Sequence, residues 1–287
     1  MLGILLIDKP GGITSHDVVA RVRKKLDIRR VGHAGTLDPL ATGLLVVAVG
    51  PATRFLQYLQ QDPKEYVCAF RFGVETDTLD SDGNTVAESE VPDDLAARIE
   101  AGLPSFVGEI EQTPPMFSAV KKEGKPLYVY ARRGEVVDRE PRKIVITEYE
   151  LLDLDGSDAR FRIVCSSGTY VRVLAQDLGA RVGCGAHVTA IRRTRVGRFL
   201  IEDAVALDEA SAADLVPLCE ALEPMPMVQL TDGQVQLVQN GGYVRRDGLP
   251  SEPMAALTDS DGNVVCIARV VENEAHPKCV IPKEAQR

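Results

Sequence analysis

The stretch GHAGTLDPLATG, Gly32 to Gly43, sets a single carboxylate, Asp38, among glycines at 32, 35 and 43 and directly before Pro39. Glycine allows positive φ and a close approach by a ligand. Proline fixes its own φ and drives the residue before it toward extended backbone. The run that follows, GLLVVAVG (Gly43 to Gly50), is apolar and of strand length, bounded by glycines. The turn is therefore expected to hang from a buried strand. A carboxylate held this way can attack a sugar carbon or act as a general base. It can equally initiate a turn and accept a backbone N–H. Both readings stand on this stretch alone.

Upstream, GILLIDKPGGITS reads as a strand, a Pro-Gly-Gly loop and a helix cap. Thr14 or Ser15 would cap HDVVARVRKKL, whose Val18, Val19, Val22 and Leu26 share one helical face. Downstream, TRFLQYLQQ predicts a short helix. EYVCAFRFG alternates as a strand, with Tyr66, Cys68 and Phe70 on one face. VETDTLDSDGN reads as a polar loop, and DDLAARIEAGLPSFVGEI as a helix ending near Gly102. RKIVITEYELLDLD and DARFRIVCSSG predict a strand pair. YVRVLAQDLGARVG predicts an amphipathic helix closed by glycine. AHVTAIRRTRVGRF predicts two short strands and ALDEASAADLVPLCEAL another helix. Near EPMPMVQL (Glu223 to Leu230) the character changes to short apolar runs between Gly-Gly, Asp-Gly and Pro turns. Residues 224–287 then form a small β-rich domain that packs on a larger α+β body, residues 1–223.

The 287 residues carry a net charge of −9 and 45% hydrophobic residues, with a mean hydropathy of −0.05. No apolar run approaches the ~20 residues of a membrane helix. The start, MLGILLIDKP, has no basic lead of a signal peptide. A cytoplasmic protein is expected. The six cysteines form no CxxC and the four histidines no HxxxH pair, so no metal is expected. Phosphate loops, dinucleotide fingerprints, HExxH and GxSxG are all absent. The acidic balance argues against a nucleic-acid partner. Yet three basic runs, Ala20–Arg30, Val120–Lys143 and Ile191–Arg198, interrupt it. They predict a local polyanion-binding face, because phosphate contact needs only a field within a Debye length.

Six segments occur together in register: DKPGGITSHDVV, GHAGTLDPLATGLLVVAVGPATR, KEYVCAFRFGVETDTLD, QTPPMFSAVKKEGKPLYVYARRG, SSGTYVRVLAQDLG and GCGAHVTAIRRTRVGRF. In order and spacing the chain resembles the bacterial tRNA pseudouridine-55 synthases, the TruB-type family. The resemblance implies a pseudouridine synthase fold: a central mixed, largely antiparallel sheet flanked by helices, with a PUA-like C-terminal domain. It implies isomerisation of uridine in the T-loop of tRNA, after base flipping, by a monomer that needs no cofactor, guide RNA or protein partner. Asp38 aligns with the essential aspartate, Tyr170 with a second active-site tyrosine, and Arg172 with the arginine that pairs with the aspartate. Tyr66 aligns with the tyrosine that stacks on the flipped base, a surface that offsets unstacking. His33 aligns with a histidine that contacts the RNA, Lys9 with a lysine at the site's edge, and Ile191 with an apolar contact that is leucine in many relatives. Residues of about 117–143 match an insertion that grips the T-arm.

Three other readings remain open at this point. An RNA-binding protein without catalysis would show the same grip. A guide-dependent relative would need partner proteins. A carboxylate hydrolase would need a second acidic residue about 5 Å or more from the first. Residues 224–287 could also be a structural cap rather than an RNA-binding domain.

Overall fold

The structure, a computed structural model, describes residues 1–282. Along the chain run β1 (Gly3–Lys9), α1 (Ser15–Leu26), β2 (Val31–Ala34), β3 (Thr42–Val49), β4 (Lys64–Phe72), α2 (Leu95–Gly102), β5 (Gly108–Gln112), β6 (Arg142–Asp155) and β7 (Asp158–Cys165). There follow α3 (Val171–Val182), β8 (Ala186–Val196), β9 (Val205–Ala206), β10 (Met227–Gln229), α4 (Asp232–Gln239), β11 (Val244–Arg245), β12 (Met254–Thr258), β13 (Val264–Val271) and β14 (Glu274–Val280). The chain divides into two compact units. One holds Met1–Pro39, Gly43–Gln61 and the chain from Arg198 onward; the other holds Leu40–Thr42 and Asp62–Gly197.

In the first unit β1 is paired on both edges. It runs antiparallel to β3 from Gly3↔Val49 to Lys9↔Gly43, and parallel to β9 through Ile7↔Val205. Strand β2 pairs with β3 antiparallel, His33 opposite Val47. Both faces of β1 are buried, which explains why GILLIDK is apolar almost throughout. Helix α1 starts at Thr14, whose side chain accepts from the Asp17 N–H while Asp17 bonds back to the Thr14 backbone. Its Val18, Val19 and Val22 pack on Leu5, Ile7, Leu45 and Val47. Each such side chain contributes roughly 1.5–3 kcal/mol relative to exposure.

The same unit carries a five-stranded sheet in the order β10-β12-β13-β14-β11, covered by α4 through Val238. This is the β-rich C-terminal region that the turn-rich sequence suggests; the last five residues of the expected 224–287 segment lie outside the described residues. The sheet leans on the 3-10 turn at Gly50–Arg54, where the Arg54 guanidinium donates to the Val280 carbonyl at 2.9 Å.

The second unit is an antiparallel sheet in the order β8-β4-β7-β6-β5. Phe70 and Phe161 meet at 4.7 Å in its core, and Tyr149 stands edge-on to Phe161. Helix α3 crosses β8 so closely that a Cβ on Gly179 would lie 2.3 Å from the Ala186 nitrogen. Only glycine permits that approach. The protein is thus α+β, as expected, with parallel pairing between β1 and β9 and between β10 and β12 in a largely antiparallel framework.

Several local readings are corrected. TRFLQYLQQ forms two 3-10 turns rather than a helix. The polar loop after β4 contains a small hairpin, Val74–Thr76 with Thr85–Glu88. AHVTAIRRTRVGRF is one eleven-residue strand followed by the pair Phe199–Leu200. ALDEASAADLVPLCEAL breaks into a 3-10 turn, Ala212–Asp214, and a helical turn, Leu218–Ala221. Between them Val216 bridges to Ile4, and Pro217 lacks the N–H a continuous helix would need.

Candidate active site

The residues singled out in the sequence fall into two sets, one in each unit. In the first, Asp38 sits half-buried in the turn that joins β2 to β3, with Gly35 at φ 72° and Gly43 at φ 95° on either side. The residues flanking it, Leu37 and Pro39, are fixed from within. The Ser15 hydroxyl accepts from the Leu37 N–H at 2.9 Å and donates to the Leu37 carbonyl at 3.2 Å. The Pro39 carbonyl accepts from the Gly12 N–H at 2.8 Å and from the Lys9 ammonium at 3.3 Å. Lys9 is fully buried and donates also to the carbonyls of Pro10 and Ile13, at 2.9 and 2.7 Å. The DKPGGITS loop is thus a cradle for the Asp38 turn, and the structure shows Lys9 working on backbone carbonyls inside it. A buried ammonium surrounded by carbonyl oxygens is satisfied where an isolated one would be costly.

His33 lies on β2, five residues ahead of Asp38, its ring edge-on to His16 at 5.6 Å. The two histidines open onto a cleft of about 600 Å³ lined also by Arg23, Arg29, Arg30 and Thr53, with no carboxylate in its wall. Arg23 is oriented by the Val31 carbonyl at 2.9 Å and Arg30 by the Thr53 hydroxyl at 2.8 Å. On a chain of net charge −9, a concave wall that carries three arginines, Arg23, Arg29 and Arg30, concentrates positive potential locally.

In the second unit Tyr66 occupies β4 between Ile163 of β7 and Arg193 of β8. It is buried, and its hydroxyl hydrogen-bonds Arg193. Arg193 is only 1% exposed. Burial pulls its guanidinium below the ordinary arginine range, while Tyr66 opposes the shift. Lys64, also buried, is pulled down by burial and by Arg193. Ile191 is buried on β8 opposite Cys68, which shares the face of Tyr66. These residues come together as one patch on the sheet.

Tyr170 and Arg172 open helix α3. Tyr170 is its N-cap residue, with no side-chain cap of its own. Arg172 is buried, donates to the carbonyls of Thr78 at 2.8 Å and Phe117 at 2.7 Å, and faces the Asp80 carboxylate at 3.5 Å. Asp80 in turn accepts from the Thr78 hydroxyl, in a loop whose Leu79 takes φ 65°. Arg172 therefore pins two loops to the start of α3.

Sequence reasoning missed Asp80, Arg193 and Gln112. The run IRRTRVGR was expected to face phosphate, but Arg193 points inward with Ile191, as strand alternation requires. That alternation was a usable signal. The insertion of residues 117–143 is by contrast exposed. It holds a two-residue hairpin (Lys121–Lys122 with Lys125–Pro126), a short helix Leu127–Ala131, and Arg132 set over the Tyr128 ring at 5.5 Å. Among the described residues no cluster of His, Cys, Asp or Glu is placed to hold a metal ion. No helix among them is long and apolar enough to cross a membrane.

Comparison with known proteins defines the class. The fold superposes on the crystal structure of a Cbf5-Nop10-Gar1 complex with a TM-score of 0.72 at 28% identity, covering 99% of this chain and 86% of that one. Residues 23–171 match the TruB family pseudouridylate synthase N-terminal domain, and residues 172–227 the tRNA pseudouridylate synthase B C-terminal domain. The protein is a pseudouridylate synthase. A tRNA pseudouridine synthase B of Stutzerimonas stutzeri is 42% identical over 282 residues, 94% of this chain and 92% of that protein. Its counterpart in Opitutus terrae is 48% identical over 223 residues, 78% of this chain and 92% of that one. The chain belongs to the TruB family.

Proposed function

We propose that this enzyme converts the uridine at position 55, in the T-loop of tRNA, to pseudouridine, as a stand-alone cytoplasmic monomer without a cofactor. The observation that carries the reading is the Asp38 turn: a carboxylate whose two neighbouring residues, Leu37 and Pro39, are each held through their backbone by a buried polar side chain, Ser15 and Lys9. Such preorganisation serves a group that must meet one atom in one orientation. The reaction breaks the C1′–N1 bond, turns the uracil and joins C1′ to C5; the hydrogen at C5 leaves as a proton. Atoms balance within the substrate and water, so the step calls for no redox partner or phosphate donor.

Asp38 is the essential carboxylate. Tyr66 and Ile191 receive the flipped base, Tyr66 by stacking. Tyr170 takes part in proton transfer, and Arg172 supplies the fixed positive charge of the site. Lys9 holds the Asp38 turn from the inside. The cationic cleft beside His33 takes RNA backbone phosphates, and the exposed insertion of residues 117–143 grips the T-arm. Recognition by shape and a splayed loop suits A-form RNA, whose deep groove side chains cannot read. Residues 1–223 form the catalytic domain and residues 224–287 a PUA-like accessory domain.

The test is to incubate purified protein with an unmodified tRNA transcript and map pseudouridine by carbodiimide-dependent primer-extension stops. One new stop at position 55 is expected. No stop, or stops elsewhere only, would overturn the proposal.

A further inference from the structure

We infer that Gln112 is a positioning residue of the isomerisation, acting through the backbone of Tyr170; the inference rests on the proposed role of Tyr170. Gln112 is the last residue of β5 and is 3% exposed. Its Oε1 accepts from the Tyr170 N–H at 2.7 Å, and its Nε2 donates to the Tyr170 carbonyl at 3.1 Å. One side-chain amide thus engages both polar backbone groups of one residue, 58 positions along the chain. The arrangement imitates a rung of an antiparallel ladder on the side of β5 away from β6, where β5 ends the strand order among the described residues.

Tyr170 needs such a partner. It caps α3 with extended backbone, φ −101° and ψ 105°, and has no side-chain cap. Its carbonyl already accepts from the N–H groups of Val173 and Leu174, but those bonds leave its own N–H to be met from outside the helix. Gln112 meets it and fixes the peptide on both sides of the Tyr170 Cα. The phenol oxygen lies at the far end of the side chain from that Cα, so roughly ten degrees of backbone freedom become a displacement on the order of 1 Å, enough to cost up to about a hundredfold in rate. Two residues on, Arg172 is held by the Phe117 carbonyl. The segment from Gln112 to Phe117 therefore clamps the start of α3 at two points.

Glutamine is suited to this by length and polarity. Leucine would keep the packing and lose both bonds. Glutamate would still accept from the Tyr170 N–H but would set an oxygen against the Tyr170 carbonyl. Asparagine is one methylene shorter.

The experiment compares wild type, Gln112→Leu, Tyr170→Phe and the double variant, with unmodified tRNA as substrate. Each is checked for melting temperature and for tRNA affinity by filter binding. Gln112→Leu is expected to lower kcat by about ten- to a hundredfold, with KM and tRNA affinity within about twofold of wild type. In the Tyr170→Phe background it is expected to slow the enzyme no further, because the hydroxyl it aims is gone. Wild-type kcat in Gln112→Leu would overturn the inference. So would the same loss in both backgrounds, which marks a structural effect independent of Tyr170. Undiminished kcat in Tyr170→Phe would instead remove the reading of Tyr170 itself, and the inference with it. Should Gln112→Leu not fold, Gln112→Glu keeps the acceptor, and an intermediate loss of kcat with unchanged KM is expected; a loss in KM alone would count against the inference.

Discussion

The hydroxyl of Ser15 closes on the Leu37 peptide from both sides, accepting its N–H at 2.9 Å and donating to its carbonyl at 3.2 Å. Ser15 is the first residue of α1, and Leu37 immediately precedes Asp38. The helix start and the carboxylate turn are thus one mechanical piece. Ser15→Ala leaves a buried N–H and a buried carbonyl without their partner, at a cost of about 1–3 kcal/mol in stability. The expected kinetic signature is a fall in kcat with tRNA affinity kept within about twofold. Urea denaturation and single-turnover kinetics check both halves; an unchanged kcat would show that the turn keeps its aim without Ser15.

The cationic cleft predicts how RNA affinity responds to salt. Arg29 and Arg30 are exposed and line it with His16, Arg23 and His33. Replacing each by alanine is expected to weaken tRNA binding and to reduce the slope of log affinity against log salt by about one. The loss should be similar for tRNAs of different sequence, because phosphate contacts carry no base information. Filter binding over a salt series measures this. A slope equal to that of wild type would remove the cleft from the interface.

Cysteine reactivity follows from burial. Burial pushes the Cys165 thiol up to about 11 and the Cys266 thiol up to about 12, and Cys68 is likewise raised by burial. A thiol raised this far stays protonated at pH 8, and the protonated form is the unreactive one. Iodoacetamide at pH 8 is therefore expected to leave these three unmodified in the native protein while labelling them fully in denaturant. Cys219, half-exposed, is the first expected to react. Peptide mass spectrometry reads the sites; native labelling of Cys165 at the denatured rate would contradict the packing described for β7.

Much of this was legible in the sequence where a local rule and the tertiary fold agree. Thr14 or Ser15 was expected to cap the first helix, and Thr14 does so, with Asp17 completing a capping box. The alternation of Tyr66, Cys68 and Phe70 is the buried face of β4. The glycine-flanked Asp38 does lie in a turn anchored to β3. Reading failed where a distant partner decides. The helix expected over ALDEASAADLVPLCEAL (Ala206–Leu222) is broken because Val216 finds Ile4, more than two hundred positions away, and takes both of its backbone bonds there. Arg193 looks like a surface cation until Tyr66 is seen to hold its guanidinium. Gln112 in QTPP carries no mark of Tyr170, because an amide that pairs with a remote backbone leaves no periodicity. The basic runs were read as one class of surface, yet burial separates Arg193 from the exposed Arg132 and Arg133 of the insertion.

The most direct test of the central claim is tritium release from unmodified tRNA carrying [5-³H]uridine, with wild type and Asp38→Asn side by side and tRNA binding measured for both. Formation of pseudouridine expels the hydrogen at C5, so release reports the isomerisation itself. Release by wild type, with none above background from an Asp38→Asn protein that still binds tRNA, is the predicted result. Release by Asp38→Asn at more than a small fraction of the wild-type rate would show that the turn around Asp38 is architecture and that the chemistry lies elsewhere.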